Sequence, residues 1–459
     1  MKTTTASLLL AVAQLGLLAH AAATEDYVAH EWGTFTSVQG ADGVLIEWNP
    51  LETTVLPGFV HDWSKPGVSR QASGVLNPPS KSRFITLQRM ETPVIYFYSD
   101  KERTVDVTVR FPRGLITEWY PLAHDIGPSV FPANKLARAL DGLVQQSGLT
   151  PRLSFSSMFS QKGTLDSRIA WKQVGIVPTT PGAGPEGNLP TDRIGSHYFA
   201  ARETDAAPLR VTSPGFPGGT TEHEKFLFYR GVGNFTTPLL VSFNSEDETR
   251  LFLANTGAEE LRHLFILTMN RGRGKFLYQS HVPPGQQVPV EFQPGTDLMT
   301  AETLTTQLSD QMSRALVEEG LYEREARAMV KTWRESWFEE DGLRVLYLLP
   351  APWTDSVLPL ALDPKPRELV RVMVGRAEII TPQTEWELLK QIVAFAAAGP
   401  DNRQAAIESV RRLGLGRFIE PALHRVLGSH PNSEFSQTAR DLMKAVVGSP
   451  KSGGAIARQ

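Results

Sequence analysis

The sequence predicts a multidomain, mainly β protein: antiparallel β-sandwich of the immunoglobulin-like kind, with a helical hairpin inserted late and an all-α C-terminal region. Three observations carry this expectation. Short apolar runs recur at roughly 10-residue spacing between turn residues across 223–293, the signature of a sandwich. Near Thr300 the apolar period changes from 2 to 3.6, and beyond Thr381 it stays helical. The composition, 41% hydrophobic and 21% charged over 459 residues, is globular and exceeds one typical core.

Residues 1–23 read as a tripartite export signal: Lys2, an apolar run from Leu8 to Leu18, and the small-residue exit Ala19 to Ala23. That run falls short of the roughly 20 residues a membrane helix needs, and no later stretch qualifies. The mature chain is expected in the periplasm or outside the cell, with no membrane span. Without Lys2 it carries 45 basic side chains against 49 acidic, a formal charge of −4, with no long run of either sign. Nucleic acid is therefore not an expected partner, and an unknown envelope or extracellular ligand is. Cysteine is absent, which excludes disulfides, thiolate metal sites and a cysteine nucleophile.

The β-rich region is expected over 24–295. Its first strand holds His30-Glu31-Trp32-Gly33-Thr34-Phe35-Thr36, and period-two geometry sends Val28, His30, Trp32, Thr34 and Val38 to one face. Tyr27, Ala29, Glu31 and Phe35 take the other, so His30 and Glu31 diverge unless a bulge intervenes. Thr104 to Phe111 alternates as a half-buried strand, whereas Val94 to Tyr98 is apolar on both faces and reads as a covered central strand. Ser99-Asp100-Lys101 between them suggests a hairpin. Residues 61–82, 178–190 and 213–219 read as Pro/Gly loops, and 135–147 as a short helix.

A helical hairpin plus returning strands is expected over 296–381. Leu304, Leu308, Met312 and Leu316 form one stripe, Gly320 breaks it, and Ala326, Val330, Trp333 and Trp337 form another. Thr381-Pro382 is an N-cap with proline at the first helical position. Trp386, Leu389, Val393 and Ala396 then give one helical face, opening a short α-helical domain over 382–447. A tail follows at 448–459. The period changes predict that a chain ending near Ile380 folds alone.

Several chemical signatures are absent: His-Glu-x-x-His, the phosphate loop and the Gly-x-Ser-x-Gly elbow. Gly182 to Gly187 spells a dinucleotide fingerprint but lacks the preceding strand and following helix that would bring pyrophosphate to a helix N-terminus. What remains is a crowd of histidines and carboxylates early in the chain. His30, Glu31, Glu91 and Glu118 are candidates for acid–base work, and His30, His61, His124 and Glu91 for a divalent metal. A metal needs three or four such groups, and none here has the fixed spacing of a metal motif. No cofactor is therefore predicted, with a divalent metal as the open alternative. Trp32, Trp119 and Arg230 are ligand-binding candidates, since acid–tryptophan neighbours suit a sugar groove and Arg230 an anion. The ordinary alternative is that these are core tryptophans and hydrogen-bonded polar groups.

The His30 to Thr36 run, Met90-Glu91-Thr92-Pro93-Val94-Ile95-Tyr96-Phe97-Tyr98 and Thr117-Glu118-Trp119-Tyr120-Pro121 together resemble a family of secreted bacterial proteins of unknown function. Phe228 to Phe235 and Val372 to Arg376 resemble later parts of its pattern. The resemblance implies a shared architecture over most of the mature chain and no activity. Residues 223–293 also resemble bacterial immunoglobulin-like modules, and the helical tail a HEAT-like fragment. The leading expectation is an exported protein with a binding or envelope-interaction role. A secreted hydrolase, metal-assisted or carboxylate-based, and a structural component of an envelope assembly are the alternatives.

Overall fold

The structure, a computed structural model, describes residues 25–50, 56–62, 86–127, 167–178, 188–193, 195–213, 219–244, 250–293, 295–399, 403–429 and 433–447. The expected leader at 1–23, the helix at 135–147, most of the Pro/Gly stretches and the tail at 448–459 lie outside the described residues.

The first strands are β1 (Glu25–Gln39), β2 (Leu45–Ile46), β3 (His61–Asp62), β4 (Gln88–Tyr98), β5 (Arg103–Phe111), β6 (Gly114–Tyr120), β7 (Asp125–Gly127) and β8 (Ser167–Ile176). Next come β9 (Leu209–Ser213), β10 (Thr220–Glu224), β11 (Leu227–Gly233), β12 (Leu239–Phe243), β13 (Arg250–Asn255), β14 (Leu261–Asn270), β15 (Arg273–Val282), β16 (Gln287–Glu291) and β17 (Met299–Thr300). Helices α1 (Ala301–Glu318) and α2 (Glu323–Arg334) precede β18 (Gly342–Leu349), α3 (Ala351–Val357), β19 (Leu360–Asp363) and β20 (Pro366–Ile379). The chain closes with α4 (Pro382–Ala397), α5 (Arg403–Arg411), α6 (Ile419–Ser429) and α7 (Ser433–Val447).

The protein is mainly β, with several sheets and C-terminal helices. An eleven-stranded sheet runs β17-β15-β14-β18-β20-β1-β4-β11-β6-β3, with β2 beside β1. A six-stranded sheet runs β10-β9-β8-β5-β19 with β7 beside β8, and β12-β13-β16 form a third. β1 and β20 pair in parallel over most of their length. The N-terminal region and the strands of 296–381 therefore share one sheet.

One face of the large sheet packs on the two smaller ones. Phe35, Met90, Ile95 and Tyr229 there meet Val107, Trp171, Leu209 and Leu253 in one core. The opposite face carries Trp32, Val94, Tyr96, Phe228 and Val374 beneath Leu304, Leu308, Met312 and Trp333 of the α1–α2 pair. Farther along that second face, Val38 and Trp48 are covered by Leu388, Ile392, Phe418 and Leu423 of the C-terminal helices. Each such side chain, fully buried, contributes about 1.5–3 kcal/mol. β1 meets all three cores, and its alternation assigns its residues to them.

Four sequence expectations meet a different arrangement. Ser99-Asp100-Lys101 closes no hairpin: β4 pairs with β1 and β11, and β5 with β8 and β19. β4 is apolar on both faces and takes a covered central place, whereas amphipathic β5 takes an outer sheet, so this turn carries the chain between layers. Second, the strands of 223–293 form no sandwich of their own but are divided between the large sheet (β11, β14, β15) and the three-stranded one (β12, β13, β16). Third, α4 buries Leu388, Ile392 and Phe395, leaving Trp386 61% and Val393 55% exposed. The helix has more apolar positions than one stripe, and contact with Trp48 and Ile380 selects among them. Finally, the C-terminal helices are no independent body: they close the end of the large sheet over Val38 and Trp48.

Candidate functional site

Across the helix-covered face of the large sheet, between its two apolar cores, runs a stripe of buried charge. It comprises Arg344 on β18, Arg376 and Glu378 on β20, Arg89 and Glu91 on β4, Arg230 on β11 and Glu118 on β6, all buried. Thr34 and Thr36 of β1 fill the row between β20 and β4. Charge in a sheet interior is costly unless paired, so its partners decide what it is for.

Local backbone irregularity puts Arg89 and Glu91 on this face. Trp32 pairs with Val94 and Thr34 with Glu91, so Thr92 and Pro93 together oppose Gly33 in a β-bulge. The extra residue inverts the alternation of β4: Ile95 and Phe97 face the sandwich core, as does Met90, while Arg89 and Glu91 turn toward the helices. Thr92 holds a φ of 49°, an outlier for a β-branched residue. Gly33 is required opposite it, because a Cβ there would stand 2.9 Å from the Pro93 Cα. A matching register shift at Thr117 of β6 keeps Glu118 opposite Arg230.

The ion pairs divide into two sets. Arg230 is fully engaged, donating from Nε and Nη2 to both oxygens of Glu118 at 2.8 Å. Arg344 donates to Glu378 and to the backbone carbonyls of Trp337 and Asp341. Arg376 bridges Glu378 and Glu340, the latter at 2.7 Å. Glu91 accepts from Thr36 Oγ1 at 2.7 Å and from Arg417 Nη1 at 3.3 Å, the latter reaching in from the segment before α6. Burial pushes the Glu91 carboxyl up, but Arg417 and Arg89 outweigh it and hold the group well below the usual carboxylate range. Glu340 is held low in the same way, chiefly by Arg376.

Arg89 differs. It is 1% exposed, its Nε lies 3.7 Å from Glu91 Oε2, and none of its three guanidinium nitrogens has a hydrogen-bond partner. Burial pushes it down to about 9; Glu91 opposes that and Arg417 and Arg230 reinforce it.

This stripe reaches the surface at a cleft of about 1070 Å³, within reach of the range of roughly 300–1,000 Å³ usual for small-molecule sites. Glu91, Arg417, Glu340 and His197 line it, with Trp333, Phe199 and Lys331. One wall is a π-helical turn, Glu335–Glu339, closed by a bond from Glu340 N to Glu335 O. Such single π turns are frequent at functional sites, and this one faces the cleft with Glu335, Ser336 and Glu339. The opposite wall is the Gly414–Phe418 loop; Gly414 has φ 69°, and a Cβ there would lie 2.6 Å from Asp341 Oδ2. His197 sits in the 3-10 turn His197–Arg202, its ring 5.3 Å from that of Trp333. Burial pushes this imidazole down to about 4, so it is neutral at pH 7, and its Nε2 has no partner.

The remaining residues singled out from sequence sit elsewhere. His30 is buried and bonds Glu325 of α2 at 2.7 Å, against Tyr98 and Tyr322. Glu31, on the opposite face, accepts from the Tyr229 hydroxyl and from Arg371 Nε at 2.7 Å. His61 pairs with Glu222 at 3.0 Å, and His124 Nε2 contacts Thr212 O at 3.1 Å. Among the described residues, no three His, Cys, Asp or Glu groups are placed to hold a metal ion. Trp32 and Trp119 lie in different cores rather than along a groove. Of the candidates, the structure places Glu91 in the cleft and Glu118 and Arg230 in the stripe feeding it. Arg89, His197, Glu340, Arg376 and Arg417 were missed. A signal existed for two: Arg89/Glu91 and Arg376/Glu378 are charged pairs two apart, each beside an apolar run of its strand.

No protein-family model matches the chain. No curated protein matches it either. Among solved structures, it is similar to the Fcho1 Mu homology domain of Danio rerio with bound Eps15 peptide, at 7% identity over 78% of this chain and 99% of that one, with a TM-score of 0.26. So loose a likeness carries over neither fold nor ligand. Among the described residues, no helix is long and apolar enough to cross a membrane.

Proposed function

We propose that this chain is an exported binding protein that takes a small polar ligand into the cleft between the π turn after α2 and the Gly414–Phe418 loop. What supports the binding role is that the buried charge of the large sheet opens to solvent there, through Glu91, His197, Glu340 and Arg417. The apolar wall at Trp333 and Phe199 stands beside many charged groups, Glu91, Glu203, Glu335, Glu339, Glu340 and Asp341 with Arg271, Lys331 and Arg417, which suits a polar ligand. The test is a thermal-shift screen of polar metabolites on the full chain and on Ser336→Trp, which fills the cleft from its wall. At least one compound should stabilise the wild type and lose that effect in the variant. If every stabilising compound acts equally on Ser336→Trp, the cleft is not the site. Export is tested separately by mass spectrometry of the native protein, where an intact 1–23 segment would overturn it.

A secreted hydrolase is the second reading, favoured by His197, a neutral imidazole in the cleft whose Nε2 has no partner; with its pKa near 4 it would act as a weak general base. A carboxylate pair fits less well, because it needs one protonated acid and Glu91 and Glu340 are both held low. Turnover of ester substrates abolished by His197→Asn would favour the hydrolase over simple binding.

A further inference from the structure

We infer that the inner end of this cleft is an oxyanion subsite, in which a sulfate, phosphate or carboxylate group is held by Arg89, Arg417 and His197. The inference rests on the cleft being a ligand site and adds the chemistry of what enters it.

The first ground is the kind of group left unpaired. Within the stripe and the cleft beside it, the buried nitrogens and oxygens without a hydrogen-bond partner are Nε, Nη1 and Nη2 of Arg89, Nη1 of Arg376, Nε and Nη2 of Arg417, Nε2 of His197, Nε1 of Trp333 and Oγ1 of Thr34. Seven of the nine are obligate donors, the other two can donate, and no carboxylate oxygen of the stripe is among them. Buried polar groups are almost always satisfied. A site short only of acceptors is completed by an acceptor.

The second ground is charge. The groups that act most strongly on Arg89 are Glu91, Arg417, Arg230 and Glu118. Among these and Arg89 itself, three guanidiniums stand against two carboxylates, and one of those, Glu118, is already taken up by both of its bonds to Arg230; Glu340, 3.8 Å from Arg417 Nε, is bonded to Arg376. Asp62, also buried, stands opposite Glu118 on its far side, away from β11. A water molecule would supply an acceptor without cancelling charge, whereas an oxyanion supplies both. Its planar or tetrahedral oxygens also match the guanidinium fork.

The third ground is access and preorganisation. Arg89 does not line the cleft, but Glu91, Arg417 and His197 do, and the same groups act electrostatically on His197. Arg417 is held over the rings of Trp48 and Phe418, 5.8 and 4.9 Å from their centres, so its guanidinium is fixed while Nε and Nη2 lack a hydrogen-bond partner, Nε standing 3.8 Å from Glu340 Oε2. Thr36 and Arg417 both engage Glu91 Oε1, which keeps that carboxylate turned to its own partners and away from an incoming anion.

The test is thermal shift and titration calorimetry on the full chain with inorganic sulfate, inorganic phosphate and malonate, each at constant ionic strength set with sodium chloride. The three arms separate the sources of the group. At least one anion should raise Tm with saturation, and Arg417→Gln should weaken that anion's Kd by about tenfold or more. Arg262→Gln, which removes an exposed surface cation, should leave it unchanged. Arg89→Gln should abolish the response; since loss of this buried cation can unfold the sheet, Arg417→Gln and His197→Asn, which should also weaken that anion's Kd, carry the test alone. Tm tracking ionic strength regardless of the anion, or equal Kd in wild type and Arg417→Gln, overturns the oxyanion subsite. If neutral ligands bind, are lost in Ser336→Trp, and anions do nothing, the cleft stands and this inference falls. If anions bind equally well to Ser336→Trp, the cleft reading and the subsite fall together.

Discussion

Glu91 and Arg417 stand 326 residues apart in the chain, yet Arg417 Nη1 lies 3.3 Å from Glu91 Oε1. This contact ties the middle of the large sheet to the C-terminal helices, and it does so at the floor of the cleft. Beside it, Trp48 packs on Phe418 with ring centres 5.5 Å apart, and Val38 and Ile380 lie under Leu388 and Ile392.

The sheet and the C-terminal helices are therefore expected to unfold together. A chain ending at Ile380 should aggregate, contrary to what the period change alone suggests, because it bares Val38, Ile46, Trp48 and Ile380 at once. Trp48→Ala in the full chain should cost about 3–5 kcal/mol in urea unfolding and keep one transition. Two separated transitions in the wild type would sink this.

Much of the fold was legible because it depends on side-chain periodicity. The facing of β1, the amphipathic β5 and the stripes of α1 and α2 follow from which residues are apolar. The layer each strand joins was not legible. Nothing local in Ser99-Asp100-Lys101 says that β5 leaves the sheet of β4, and nothing in 223–293 says that its strands are divided between two sheets. The site was hidden for a sharper reason: the bulge at Thr92-Pro93 inverts β4, so uninterrupted alternation from Val94 puts Arg89 and Glu91 on the wrong face. Arg417 and His197 come from segments far apart in sequence, and only tertiary structure brings them to one cleft.

Gly33→Ala tests the bulge directly. A methyl there collides with the Pro93 backbone, which has nowhere soft to yield, so stability should fall by about 1–3 kcal/mol. The displaced bulge should also disturb Glu91 and weaken any cleft ligand. Unchanged stability together with unchanged binding would show that the register shift matters to neither.

His197 should leave a mark on the pH dependence of stability. Its folded pKa, near 4, lies below its unfolded value, so the unfolded chain takes up the proton first as pH falls. The contribution is complete above about pH 6.5 and is lost as pH drops toward 4, amounting to on the order of 3 kcal/mol. Denaturant melts between pH 7 and 4.5 should be steeper in pH for the wild type than for His197→Asn. Parallel curves for the two proteins would remove His197 from the buried set.

Glu31 supports the structure rather than the cleft, and this separates the two roles experimentally. It lies in the sandwich-facing half of the large sheet, with Tyr229 on one oxygen and Arg371 on the other, and Arg371 is further bonded to Asp355 and Leu358 O. Glu31→Gln removes the charge facing a buried guanidinium and should cost about 3–5 kcal/mol. Replacing the whole group by Glu31→Leu, Tyr229→Phe and Arg371→Met should recover much of that loss, because no buried charge is then left alone. Neither variant should alter the affinity of a ligand that binds at Glu91 and Arg417, once both are measured well below their melting temperatures. A folded Glu31→Gln protein of wild-type stability with impaired ligand binding would instead make Glu31 part of the site.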